Sequence, residues 1–308
     1  MPGVDDPDGG HDATEPWDAN VANIERVNEL FGRHRLLRWL TGFLNWGYVP
    51  GPPLGRVPAR ESPFGGRSRV IGWPIHRRQV GLLATSLWSI PVRGRRVLEV
   101  GAGRGGNSRL LARHGRAASV VGLDLVTAGL ADAAGFPGAG AVGWTTGDAQ
   151  ALPLRSACMD VVVTVESRHG YRSQTAFVAE AARVLAAGGH LVMSDAFAAG
   201  EVAPLVDLVK QAGFVEPSVL DLSDGVLRSR RRGRSLQLRL RRTEMSPGAA
   251  DFSCAPGSRV YRAMQAGELR FLAIRARRDR RPVGDDLPEL AGPGDLLAQV
   301  GSVRFGQS

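Results

Sequence analysis

The chain has 308 residues, a net charge of +9 and two cysteines, Cys158 and Cys254. That length suits one large α/β domain with additions or two modest ones. Two widely separated cysteines argue against a disulfide framework and against a zinc site, so no metal is expected. No apolar run approaches the roughly 18 residues of a membrane span. The acidic start, MPGVDDPDGGHDATEPWD, lacks the basic and apolar regions of a signal peptide, and the expected location is the cytoplasm.

In chain order, residues 1–17 read as a disordered acidic tail. From Asp18 to about Leu44, Val21, Ile24, Val27, Leu30 and Phe31 recur at helical spacing, and Leu37, Leu40 and Leu44 extend a similar face. Asn45-Trp46-Gly47-Tyr48 follows, then a Pro/Gly-rich loop to about Gly72 and a helix from His76 to Ile90, stopped by Pro91. Residues 18–92 thus form a helical cap. Strands are expected at Arg96–Val100, Ser119–Leu123, Ala141–Thr145, Met159–Val165, His190–Ser194 and Glu268–Ala276. Helices are expected at Ser108–His114, Thr175–Leu185, Val202–Ala212 and through the arginine-rich stretch Arg228–Arg242. Strands alternating with helices predict a doubly wound, mostly parallel α/β sheet over residues 93–278, followed by a tail over 279–308.

Lys210 is the only lysine, so arginine supplies nearly all the positive charge. The surplus suits either a polyanionic partner or the drift toward arginine of a GC-rich genome, and the scatter of the arginines favours the latter. Arg228–Arg242 reads as a solvated helix covering the core; a substrate lid, a phosphate-binding face and a membrane-surface helix are the alternatives.

The first strand runs into Glu99-Val100-Gly101-Ala102-Gly103-Arg104-Gly105-Gly106-Asn107. Glycines there permit a sharp turn and a close backbone approach to a ligand. Dinucleotide-binding loops share the pattern, so the acidic residues decide. A dinucleotide brings a pyrophosphate to the helix N-terminus. S-adenosylmethionine brings no phosphate, but a sulfonium and an ammonium that favour nearby carboxylates. Glu99 precedes the loop, Asp124 ends the second strand where both ribose hydroxyls can be met, and Asp148-Ala149 follows the third strand where an adenine amino group can be met. Together they line the carboxyl ends of successive strands, where open α/β sheets bind ligands.

Over residues 70–278 the chain resembles the class I, seven-stranded Rossmann-like S-adenosylmethionine-dependent methyltransferases. VLEVGAGRGGNSRLLA, VVGLDLV, GDAQALPL, MDVVVTVES and FVAEAARVLAAGGHLVMSD are similar to five of that family's motifs in the family's order. NWGY and GSRVYRAMQAGELRFL resemble the bacterial branch of phthiotriolone-type and macrolide-sugar O-methyltransferases. The resemblance implies that Glu99, Gly101 and Gly103 surround the amino acid part of the cofactor. It likewise implies that Asp124 and Leu125 hold the ribose and flank the adenine, and that Asp148 and Ala149 face the adenine edge. Glu166 would lie near the methyl donor, and Tyr48 would close over the cofactor, although Trp46 and Tyr48 also suit plain packing of a cap.

His169, just past the fourth strand, is the candidate general base for a hydroxyl acceptor, at the position where the resemblance places a histidine. Asp195, after the fifth strand, could assist it or serve as a structural carboxylate. Arg168 and Arg172 flank the histidine, either solvated or ready for an acidic substrate. The expected function is O-methylation of a small molecule in natural-product biosynthesis. Nucleic acid is not the expected partner, because strand four ends in Val-Glu-Ser, without the N/D-P-P-Y/F motif of amino-directed nucleic-acid enzymes, and no Pro-Cys pair occurs. A methyltransferase-fold protein catalysing cyclisation, or only binding, is the third reading. A homodimer is left open.

Overall fold

The computed structural model describes residues 45–51, 76–136, 141–232, 247–279 and 287–292. The expected tail at 1–17 and the helical pattern of 18–44 lie outside the described residues, as do the last ten residues of Arg228–Arg242. The elements are α1 (Arg77–Ser86), β1 (Arg96–Val100), α2 (Gly106–Arg113), β2 (Ser119–Asp124), α3 (Thr127–Ala134), β3 (Val142–Thr146), β4 (Met159–Val165), α4 (Gln174–Val184), β5 (Leu185–Ala198), α5 (Val202–Gln211), β6 (Phe214–Asp221), α6 (Ser223–Arg231), α7 (Pro247–Phe252), α8 (Arg259–Ala266) and β7 (Leu269–Arg278).

One seven-stranded sheet runs in the order β3-β2-β1-β4-β5-β7-β6. Neighbours from β3 to β5 pair in parallel, and β7 is antiparallel to both β5 and β6. This is a doubly wound Rossmann-like sheet, as expected. Both faces are covered, so the inner strands are apolar on both sides. On β4, Val161, Val163 and Val165 join Leu82, Leu83 and Leu110 on one face. Val162 joins Phe177, Val178, Leu191 and Leu208 on the other.

The order reverses between β1 and β4: β2 and β3 extend to one side, β5 to β7 to the other. Successive connections leave this point in opposite directions, which opens a crevice at the carboxyl ends of the strands. Val100 pairs with Thr164, so the loops after β1 and β4 emerge side by side.

Some elements depart from the sequence-based expectation. β6 is not expected at all: its exposure alternates poorly, Pro217 interrupts it, and its pairing slips between Val215 and Ser218 around Glu216 at φ 52°. The short, alanine-rich α3 carries little periodic contrast, and the six-residue α7 and eight-residue α8 are not expected either, although α8 buries Val260, Tyr261, Ala263 and Met264 along one side. β5 is much longer than His190–Ser194: it begins at Leu185, directly after α4, and takes in the Gly-Gly pair. β7 pairs with it over His190–Ala198, giving its far end a partner. α6 ends at Arg231. Among the described residues no helix is long and apolar enough to cross a membrane.

Residues 45–51 cross the strand ends as a strap. Tyr48 N–H donates to the Arg78 carbonyl at 2.8 Å and Val49 N–H to the Gly225 carbonyl at 3.0 Å. The Tyr48 ring is buried against α6, where a Cβ on Gly225 would overlap it. Gly225→Ala should therefore destabilise the protein by about 1–3 kcal/mol, the usual cost of overpacking. Urea denaturation checks this, and in a Tyr48→Ala background the same substitution should cost less than about 0.5 kcal/mol.

Candidate active site

The glycine loop is shaped by the end of β2. Gly101 and Ala102 both donate N–H to the Leu123 carbonyl, at 2.8 and 2.9 Å, and Gly103 donates to Asp124 Oδ2 at 2.7 Å. Asp124 Oδ1 accepts from Val126 N–H at 2.9 Å. Burial pushes the Asp124 carboxyl up from its ordinary value, and these N–H groups oppose the shift. Gly101 sits at φ 74°, and a Cβ there would overlap Ser167. Gly105, at φ 70°, leads into α2 with the Trp144 ring where its Cβ would be. Glycine is required at both on conformation and on space.

Glu99 is buried at the end of β1, with Ser108 Oγ of α2 donating to it. Burial raises its carboxyl from 4.5 to about 7, against hydrogen bonds from Ser108 and Asn107 that favour the ionised form. Leu125 is an exposed leucine beside Asp124, while Ala149 is buried. Asp148 accepts both the backbone N–H and Nε2 of Gln150 on Oδ1, at 2.8 and 3.0 Å.

The turn after β4 carries the second half of the site. Glu166 adopts φ 53°, a left-handed conformation disfavoured for a side-chain-bearing residue. Two bonds hold it there: its N–H to the Ser194 carbonyl at 2.8 Å, and Trp46 N–H to its Oε1 at 2.7 Å. Burial raises its carboxyl well above the ordinary range; nearby Asp195 adds to this and Arg230 opposes it. A short 3-10 turn, Arg168–Gly170, follows. His169 Nδ1 lies 3.1 Å from Asp195 Oδ1, and His169 N–H donates to Asp195 Oδ2 at 3.2 Å. The imidazole is 32% exposed while the Asp195 side chain is 2% exposed. Burial tends to raise Asp195, but His169, Arg168 and the Ala196 N–H outweigh it and hold the carboxyl below its ordinary value. An ionised carboxylate at Nδ1 fixes the tautomer that presents the Nε2 lone pair.

The structure thus brings Glu99, Gly101, Gly103, Asp124 and Leu125 together on the β1–β2 side, and Glu166, His169 and Asp195 on the β4–β5 side, with Ser167 against Gly101 between them. Asp148 and Ala149 follow β3 on the first side. Tyr48 packs on α6; it is Trp46 and Asn45 of the strap that reach Glu166 and Asn107. The expectation that Arg168 is solvated or meets substrate is corrected. It is buried, stacks over the Phe197 ring at 4.1 Å, and bonds to the Ala196 carbonyl and Glu201. Sequence reasoning did not single out Ser108, Gln150, Ser167, Trp144 or Arg230. Ser108, Gln150 and Ser167 lie within recognised motifs and Arg230 within the arginine-rich stretch, but nothing local marks their roles.

Residues 98–193 match the family described as Methyltransferase domain. The fatty-acid O-methyltransferase of Mycolicibacterium smegmatis is 34% identical over 58% of this chain and 63% of its own length, so under two thirds of that relative is spanned. A protein of Mycobacterium ulcerans named "probable phthiotriol/phenolphthiotriol dimycocerosates methyltransferase 2" is 30% identical over 60% of this chain and 68% of its own length. The chain belongs to the S-adenosylmethionine-dependent methyltransferases. The fold of these methyltransferases is shared with geranyl diphosphate C-methyltransferase from Streptomyces coelicolor, solved with Mg2+, geranyl diphosphate and S-adenosyl-L-homocysteine. That structure superposes with a TM-score of 0.54 at 16% identity, over 83% of this chain and 98% of that one.

Glu99 gives a pH test of the site. Its folded value, about 7, exceeds the ordinary 4.5. The native carboxyl therefore keeps its proton where the unfolded chain has lost it. The stability it contributes is fully present below pH about 4.5 and is lost as pH rises through about 7. Glu99→Gln, neutral throughout, should show a fall in stability between pH about 4.5 and 8 that is smaller than the parent's by about 1–3 kcal/mol. Urea denaturation at several pH values measures the difference.

Proposed function

We propose that this methyltransferase acts on an oxygen of a small molecule in the cytoplasm, with His169 as general base. The observation that carries the reading is the His169–Asp195 pair: a partly exposed imidazole, anchored at Nδ1, at the crevice mouth beside the glycine loop. One relative's name supports an oxygen acceptor on a fatty acid, and the other's, with phthiotriol-type dimycocerosates, supports a lipid-like substrate.

The crevice residues suit the cofactor. Glu99 and the loop from Gly101 to Gly103 would take the cationic amino acid portion; Asp124, already oriented by Gly103 and Val126, would take the ribose. Exposed Leu125 and buried Ala149 would flank the adenine, with Asp148 at its edge. Glu166 would border the donor and hold the strap across it. S-adenosylmethionine supplies an electrophilic methyl group on a sulfonium. The chain's own residues would orient the acceptor, exclude water and remove one proton. His169 Nε2 would take the acceptor's hydroxyl proton, and Asp195 would steady the imidazolium.

Two measurements test this. Calorimetry should show binding of S-adenosylmethionine and its demethylated product, weakened in Asp124→Ala by about 1.5–3 kcal/mol, the cost of losing a charged hydrogen-bond partner. No binding by folded parent protein would remove the cofactor site from this crevice. Labelled methyl transfer to a panel of lipid alcohols and fatty acids then reads the acceptor. With an alcohol, His169→Ala should lower single-turnover rates by about 10²–10⁴-fold, and the parent rate should rise with pH as imidazole loses its proton. A fatty acid is already ionised near neutral pH and needs no base, so the loss there should be much smaller. A parental rate and pH profile in the variant with an alcohol acceptor would dismiss His169 as the base.

A further inference from the structure

We propose that Gln150 is a positioning residue that ties the loop after β3 to the turn carrying His169, so that occupancy of the cofactor site orders that turn. The proposal rests on the reading of Asp148 as an adenine contact.

Gln150 uses both ends of its amide on different segments. Nε2 donates to Asp148 Oδ1 at 3.0 Å, and Oε1 accepts the N–H of Ser173 at 2.7 Å. Ser173 caps α4, accepting Ala176 N–H on its hydroxyl, and the same hydroxyl donates to Glu289 at 2.8 Å. Its neighbour Gln174 donates Nε2 to the Arg168 carbonyl at 3.2 Å, the carbonyl that also receives Tyr171 N–H and closes the turn around His169. A continuous bonded path therefore runs from Asp148 through Gln150 and Ser173–Gln174 to the residue before His169.

Only an amide completes that path. It must donate to a carboxylate on one side and accept from an N–H on the other. Glutamate would keep the Ser173 bond but set a carboxylate against Asp148; leucine would make neither bond. Asp148 Oδ2 takes no hydrogen bond from the described residues, since both Gln150 groups use Oδ1. A ligand donor on Oδ2 would fix the carboxylate, and with it the orientation of Gln150 and the start of α4. No contact between the two ligand sites is needed, because order would pass along the bonded segment itself.

Hydrogen exchange of the full chain, with and without saturating S-adenosyl-L-homocysteine, tests this without knowledge of the acceptor. In the parent, the ligand should slow exchange both in the glycine loop, 101–107, and in the turn, 168–176. In Gln150→Leu the glycine loop should still be protected, while ligand-induced protection of 168–176 falls about fivefold to tenfold, the effect of one lost hydrogen bond. In Gln150→Glu the ligand-free exchange of the turn should stay parental, because Ser173 keeps its acceptor, yet the ligand-induced increment should vanish. That variant carries the comparison should the leucine variant not fold. Parental ligand-induced protection of 168–176 in either folded variant would overturn the proposal. Failure of the ligand to protect the glycine loop of the parent itself would overturn the cofactor-site reading, and this inference with it.

Discussion

The carbonyl of Leu123 and the carboxylate of Asp124 hold three successive N–H groups of the loop after β1. This fixes where the glycine loop can go, and the rest of the site is arranged around it. With the loop drawn toward β2, Gly101 faces the β4 turn so closely that Ser167 occupies the space of a Cβ. The same geometry seats Glu99 beneath the start of α2, against Ser108. An acidic residue at the end of β2 is thus structural before any ligand arrives: it neutralises backbone donors that would otherwise be left at a buried turn.

Several of the arginines serve the same accounting. Arg78 bonds the carbonyls of Ser229 and Arg232; Arg228 and Arg230 bond those of Val49 and Trp46; Arg183 bonds those of Leu152 and Leu154; Arg278 bonds those of Ala182, Gly213 and Asp279. A planar guanidinium with five donors can staple two or three carbonyls at once, which an ammonium on a flexible stem does less well. On α6 these bonds attach the strap that carries Trp46, and Trp46 in turn holds Glu166 in its left-handed conformation. At these five positions the positive charge works inward, on the protein's own backbone.

The parallel half of the sheet was legible because its strands are short apolar runs ending in motif residues: Glu99 before the glycines, Asp124 at the end of β2, the Glu166-Ser167 end of β4. Their clustering in space follows from the shared strand direction, which alternation predicts, and from the strand order, which it does not. The strand-edge half was less legible. β6 depends on β7 for its pairing, and its own residues alternate too weakly to announce a strand. Arg168 was misread because burial of a charged side chain depends on Phe197 and Glu201, distant in sequence and adjacent only after folding. Tyr48 packs its ring on α6, where Gly225 leaves room, a partner far away in sequence that NWGY does not announce.

The irregularity of β6 also bears on how the molecule behaves in a crowded solution. Among the described residues the strand has no partner on its outer side, and an unpaired edge is a template on which a second chain can add a strand. Glu216 at φ 52° and the adjoining Pro217 break the row of donors and acceptors that such an addition would follow, and Glu216 is further engaged by Arg277. A version of this enzyme smoothed at that point with two β-branched residues would have a neater strand and a stickier one. The kink that hides the element from a reading of the sequence thus also makes this edge a poorer template for a second chain.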